Sequence, residues 1–243
     1  MSLLEQSKVY KPFKYPWAVQ YAIDHEKIHW GEWEAKLQED VVQWQSGKLT
    51  PQEKNHITQI LRLFTQSDVA VGTNYLEYYI PKFKNNEVRA MLSSFVNREF
   101  VHQRAYALLN DTLGLPEEEF SAFTEVQEMQ DKLDFMADID THSHSGTALA
   151  IARSVMNEGM SLFSAFVMLL NYQRFGKMKG MCEIVEWSVR DETMHCDGMV
   201  KLFREFCNEH PRIVTDEFKA NIYQMFRDAV ELEDKVIDLA FEM

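Results

Sequence analysis

Four times in this sequence a glutamate is followed three residues later by a histidine: Glu26/His29, Glu53/His56, Glu99/His102 and Glu192/His195. On a helix that spacing puts both side chains on one face, about 60° apart, where a carboxylate and an imidazole can share a metal ion. Setting separates the four. Glu53 stands three residues after Thr50, just behind Pro51, and is accounted for as the partner in a capping box. Glu26/His29 lies in the polar stretch DHEKIH and reads as solvated. Glu99, by contrast, sits among Phe95, Val96, Phe100 and Val101, and Glu192 follows Trp187 and Val189 and precedes Met194. No cap accounts for an acid in the middle of an apolar helix, and a desolvated carboxylate is costly unless a counter-charge, commonly a metal, compensates. Two more acids share this predicament. Asp68 lies between Leu61-Arg62-Leu63-Phe64 and Val69-Ala70-Val71, and Glu158 lies between Val155 and Leu162-Phe163.

The elements that must position these side chains are long helices. Residues 51–80 form one periodic stretch that ends near Pro81. A second runs from about 86 to 113 and stops at Gly114 before Pro116. A third covers about 147–175 with Gly176 behind it, and a fourth covers about 178–208 and stops before Pro211. A fifth begins near Thr215 and is still periodic at Met243. Shorter helices are predicted over 31–46 and 118–136, the segment DIDTHSHSG is read as a loop, and residues 1–20, with Pro12 and Pro16, as an extended arm. Helices of roughly 30 residues are each about 45 Å long, and matched antiparallel rods of this kind pack as a bundle whose core can hold metal ligands. No repeat or linker divides the chain, so residues 1–243 read as one domain.

Composition agrees. Nine glycines and six prolines in 243 residues fall well short of the average of about 12%, which leaves few turns and argues against an all-β sandwich. No Gly-rich phosphate loop is present. A net charge of −13 argues against nucleic acid as a partner. Cys182, Cys196 and Cys207 form no CxxC pair, which suits a reducing compartment. The N-terminus has no signal-peptide core, and the longest apolar run, Met160 to Leu170, is too short for the roughly 20 residues of a membrane span. A soluble, cytoplasmic protein is expected.

One acid from each of two helices and Glu-x-x-His from each of two others is the ligand inventory of ferritin-like dimetal carboxylate proteins, except that one single position here is Asp. The fold class expected is therefore all-α, a ferritin-like long-helix bundle with a dimetal carboxylate site in its core. Four carboxylates balance two divalent ions, and hard oxygen donors with one imidazole per ion suit iron or manganese.

The flanking residues are more specific than the ligands. REFVHQRAY places Tyr106 one turn beyond His102, RDETMH places Asp191 before Glu192, and Trp30 follows the arm in YPWAVQYAIDHEKIHWGEWE. With LFTQSD and NEGMSLFSAF, in this order over about residues 15–240, the chain resembles the radical-generating small (beta) subunit of class I ribonucleotide reductase. The resemblance implies that Asp68, Glu99 and His102 bind one metal, and Glu158, Glu192 and His195 the other, with some carboxylates bridging. Iron is implied first, with manganese or a mixed Mn/Fe pair as alternatives. Tyr106 would carry a tyrosyl radical, and Asp191 and Trp30 would link the metals to the surface. Asp191 also suits a second role, as acceptor of the free N–H of a metal-bound His102. Phe163, Phe166, Leu162 and Met194 are expected to line Tyr106. The implied partners are the large catalytic subunit, a second copy in a homodimer, and an activating flavoprotein. The resemblance also implies further helix and a docking tail, which DKVIDLAFEM does not contain. The alternatives are a stand-alone dimetal oxygenase, such as a fatty-aldehyde or fatty-acyl oxidase, and an iron-storage protein.

Overall fold

The computed structural model describes residues 2–242. Met1 and Met243, the outermost residues of the expected arm and last helix, lie outside the described residues. The described residues form helices and turns, with no strand. Four elements carry the acids. Helix α3 (Pro51–Asn74) starts at the expected capping box, with Thr50 Oγ accepting from the Glu53 N–H at 3.1 Å and the Glu53 carboxylate accepting from the Thr50 N–H at 2.8 Å. It runs on through a π-turn, Tyr75–Tyr79, into the short α4 (Ile80–Lys82). Helix α5 (Asn86–Leu113) is capped by the Asn85 side chain and closed by Gly114 in the left-handed region at φ 73°, where a residue without Cβ is favoured. Helices α7 (His144–Gly159) and α9 (Lys179–Glu209) complete the set. The α3–α5 and α7–α9 pairs pack extensively, and α5 also packs on α9.

Four expectations are corrected. The extended arm ends at Tyr15, because Pro16 starts α1 (Pro16–Lys27). A proline in the first helical position fits the helix and needs no N–H partner. Helix α1 lies along α5. The helix expected over 31–46 is a 3-10 turn at Glu32–Glu34 followed by α2 (Gln38–Gln45), whose buried Asp40 accepts from the N–H groups of Gly180 and Met181 at 3.1 and 2.7 Å. Asp40 thus caps the start of α9. The helix expected over 118–136 is two 3-10 turns and α6 (Gln127–Ala137), separated by Val126 in an extended conformation.

The third long helix is broken. Helix α7 begins inside the expected loop, where Ser143 Oγ accepts from the Gly146 N–H, and ends at Gly159. The Met156 carbonyl accepts from both Met160 and Ser161, which closes the helix. The chain resumes as α8 (Phe163–Leu170) and a 3-10 turn up to Phe175, ended by Gly176 at φ 65°.

Two large apolar clusters fill most of the bundle among the described residues, and on α3, α5 and α9 the acids lie where the helix passes from one to the other. On α3, Phe64 belongs to one cluster and Val71 to the other; on α5, Ala105 and Phe95 divide the same way; on α9, Val185 and Met199 do so. The last helix, α10 (Asp216–Glu242), is tied in by a buried ion pair. Lys132 Nζ on α6 lies 2.6 Å from Glu233 Oε2, and Ser164 also donates to Glu233. Glu233→Ala leaves the lysine charge buried and alone, so it should cost about 3–5 kcal/mol in urea unfolding, while the double change Lys132→Met/Glu233→Leu should restore most of that.

Candidate metal centre

Asp68 on α3, Glu99 and His102 on α5, Glu158 on α7, and Glu192 and His195 on α9 are all buried, none more than 3% exposed. The structure brings them together as two overlapping groups. Ligand atoms of Asp68, Glu99, His102 and Glu192 all lie within 4.8 Å of one another, as do those of Glu99, Glu158, Glu192 and His195. Glu99 and Glu192 belong to both. His195 Nδ1 lies 2.9 Å from Glu99 Oε1, 3.0 Å from Glu158 Oε2 and 3.3 Å from Glu192 Oε2. His102 Nδ1 lies 3.2 Å from Glu192 Oε1 and 3.8 Å from Glu99 Oε2.

Asp68 Oδ2, both oxygens of Glu99 and both of Glu192 are buried without a hydrogen-bond partner. Buried polar atoms are rarely left so, and convergent carboxylate oxygens without donors are the condition a pair of cations satisfies. The donor set, oxygen-rich with one imidazole in each group, fits iron or manganese.

Electrostatics agree. Burial, then the neighbouring Glu192, pushes the Glu99 carboxyl up to about 8. Burial likewise raises Asp68 and Glu158. Burial opposes charge on both imidazoles, but the adjacent carboxylates of Asp191 and Glu192 hold His102 above its usual range, and those of Glu158, Glu192 and Glu99 do so for His195. Glu192 goes the other way, to about 2: burial opposes its charge, and the two histidines outweigh burial.

A group raised in the folded state stabilises the fold while protonated. For Glu99 that contribution is complete below the ordinary value of 4.5 and lost as pH rises through about 8. Asp68, Glu158 and both histidines act in the same direction. Metal-free protein should therefore melt at a lower temperature at about pH 9 than at about pH 5. Saturating Mn(II) should remove the difference, because metal requires the deprotonated ligands. Identical metal-free melting curves at the two pH values would contradict this electrostatic account.

Around the six lies a partly expected shell. Asp191 Oδ2 accepts from Trp30 Nε1 at 2.7 Å and from His102 Nε2 at 3.1 Å, and the Trp30 and His102 rings stack at 5.8 Å. Tyr106 is fully buried and donates to Ser188 Oγ at 2.9 Å. Its ring packs at 4.9 Å against Phe64, which in turn meets Phe166 at 4.8 Å. Two residues expected to line Tyr106 do not. Phe163 is 57% exposed, because the break before α8 turns it outward, and Met194 packs on the other apolar cluster.

Four contributors escaped the sequence reading. Tyr75 donates to Glu158 at 2.9 Å, and Ser154 donates to the same carboxylate at 2.5 Å. Ser154 stands one helical turn before Glu158, a spacing that signals such a bond. His25 is 1% exposed, with Nε2 3.7 Å from Asp191 Oδ1, and burial takes it down to about 4. Arg98 is a buried cation beside Glu99, but it donates to the Trp30 carbonyl at 2.9 Å and meets His29. The remaining Glu-x-x-His pairs lie elsewhere: Glu53 bonds Lys177 at 2.6 Å, His56 bonds Tyr172 at 2.9 Å, and Glu26 and His29 are exposed. No helix among the described residues is long and apolar enough to cross a membrane.

The profile of the family described as "Ribonucleotide reductase, small chain" matches residues 7–243. A probable ribonucleoside-diphosphate reductase small subunit of Invertebrate iridescent virus 6 is 38% identical over 261 residues, covering 100% of this chain and 72% of the relative. The ribonucleoside-diphosphate reductase subunit beta of Chlamydia pneumoniae is 29% identical, covering 91% and 68%. In fold, the chain is similar to the ribonucleotide reductase R2 subunit of Clostridium botulinum, with a TM-score of 0.90 at 23% identity, covering 99% of this chain and 78% of that one. The dimanganese(II) NrdF of Streptococcus sanguinis gives a TM-score of 0.86 at 18% identity, covering 98% and 84%. The oxygenase and storage alternatives find no support among these relatives.

Proposed function

The chain belongs to the ribonucleotide reductase small-chain family, and from that premise we propose how its buried residues serve the class I enzyme. Asp68, Glu99, His102, Glu158, Glu192 and His195 hold two divalent ions, iron first, with manganese or a mixed pair equally suited to the donors. When bound, such a pair activates an oxygen species and supplies a one-electron oxidant. Tyr106 gives up that electron. Burial first, then the charge of Asp68, holds its phenol well above the usual range, so the electron leaves only with the hydroxyl proton. Ser188 Oγ, itself donating to the Ile184 carbonyl at 3.0 Å, orients the hydroxyl, and Asp68, the carboxylate whose charge acts on the phenol and whose Oδ2 has no hydrogen-bond partner, is the base that receives the proton. Phe64, Phe166 and Leu162 exclude water from the resulting radical. Asp191 Oδ2 joins the indole N–H of Trp30 to His102, a bonded path for one electron with its proton from the centre as far as the buried indole of Trp30. The recipient is the large catalytic subunit, which reduces ribonucleotides to deoxyribonucleotides. The working small subunit is a homodimer, and an activating flavoprotein is required if the oxidant is one that only a flavin supplies.

The observation that carries this reading is the convergence of two overlapping ligand groups in which Asp68 Oδ2 and all four oxygens of Glu99 and Glu192 have no hydrogen-bond partner. The test loads the metal-free chain with Fe(II) or Mn(II), oxidises it, and adds a class I large subunit with a ribonucleotide. Deoxyribonucleotide formation that requires this chain, with a tyrosyl signal in electron paramagnetic resonance, is expected. Neither product nor radical with any metal and oxidant would refute the proposal.

A further inference from the structure

The break between α7 and α8 opens a cleft of about 240 Å³ against α9. At its outer side are Gly159, Thr193 and Asp197, all exposed; at its inner side are Glu158 and Glu192, both buried. The two oxygens of Glu192 have no hydrogen-bond partner, so the cleft ends on an unsatisfied carboxylate of the centre. The larger groove between α1 and α5, about 680 Å³, stops at His25 and Arg98 and touches no ligand.

The local sequence keeps the passage open. A Cβ on Gly159 would stand 2.9 Å from Cys196 Sγ, so any side chain there would narrow the mouth. Phe163, largely exposed, lies at the rim of the cleft. The charge of the passage has one sign. Asp197, Glu158 and Glu192 line it, and among the described residues no lysine, arginine or histidine does, on a chain of net charge −13. A narrow acidic cleft draws small cations and repels small anions.

We propose that this cleft is the portal through which divalent metal ions enter the centre, with Asp197 as the outer acceptor and Glu192 as the first inner one. The proposal rests on the reading of the six buried residues as a dimetal site. Asp197 collects a hydrated ion at the surface, and the ion passes Gly159 and Cys196. It exchanges water for the free oxygens of Glu192, which belongs to both ligand groups and can therefore hand the ion to either.

The test is the rate of metal uptake, measured by mixing the metal-free chain with Mn(II) and following the loss of the free-ion resonance. Uptake should slow roughly threefold in Asp197→Asn and about tenfold in Asp197→Lys, while each still binds two ions per chain. Added salt should slow the wild type and narrow the gap to Asp197→Asn. Glu231→Lys, an equal charge change at an exposed position outside the cleft lining, should load at the wild-type rate. Gly159→Val should load slowly at every salt concentration. Equal uptake rates in wild type and both Asp197 variants, with two ions bound at the end, overturn the portal and leave the centre standing. A wild type that binds no Mn(II) overturns the centre, and the portal with it.

Discussion

A chain carrying Glu99→Gln should bind both ions more than about a hundredfold more weakly than the wild type, a larger loss than removing a partner that merely orients a ligand. Glu99 belongs to both ligand groups, so the change reaches both ions, whereas a change at Asp68 or Glu158 touches one. The fold should survive. The amide keeps the shape of the side chain and removes a buried charge that has no hydrogen bond and faces Glu192. Metal-free Glu99→Gln should therefore melt no lower than the metal-free wild type at about pH 9, where the native carboxyl is ionised. Titration calorimetry with Mn(II) and thermal melts of the same preparation measure the two effects together. Two ions bound with unchanged affinity would remove Glu99 from the centre.

Tyr106→Phe separates the phenol from the metals. The ring keeps its packing on Phe64, and Ser188 keeps its bond to the Ile184 carbonyl, so stability should fall by only about 1 kcal/mol. Binding of both ions should be unchanged. The tyrosyl signal should vanish, and ribonucleotide reduction with a large subunit should fall by about three orders of magnitude or more. A variant that keeps both would move the radical to another phenol. Tyr75 is the first to examine, since it is equally buried and bonded to Glu158.

The six acids and imidazoles were legible because mid-helix acids in apolar company have few explanations. Glu99 between Phe95 and Val101 needs no tertiary information to look anomalous. Gly114 and Gly176 were legible as helix stops for the same local reason, and both take the left-handed conformation. What surrounds the acids was not legible. Tyr75 reaches Glu158 across 83 residues of chain, and in sequence it is one more aromatic on a periodic face. His25 sits in a stretch that looks solvated, and only the packing of α1 on α5 and α9 buries it. The break after Gly159 was hidden because Met160 to Leu170 contains neither proline nor glycine. The close passage of α7 over Cys196, a tertiary fact, accompanies it. The expected arm over 1–20 misread Pro16, which at a first helical position starts a helix.

A single oxygen, Asp191 Oδ2, takes the hydrogens of both Trp30 Nε1 and His102 Nε2. A carboxylate oxygen can only accept, so His102 carries a proton on Nε2, and when the ring gives up its second proton it is Nδ1, facing Glu192 and Glu99, whose lone pair is bared. The imidazole is thereby locked in one tautomer from outside the centre. An asparagine at 191 that turned its NH2 toward the ring would force the opposite tautomer and present a hydrogen where a lone pair is needed. One misplaced amide at that junction would disarm a ligand while leaving every ligand residue in the sequence intact.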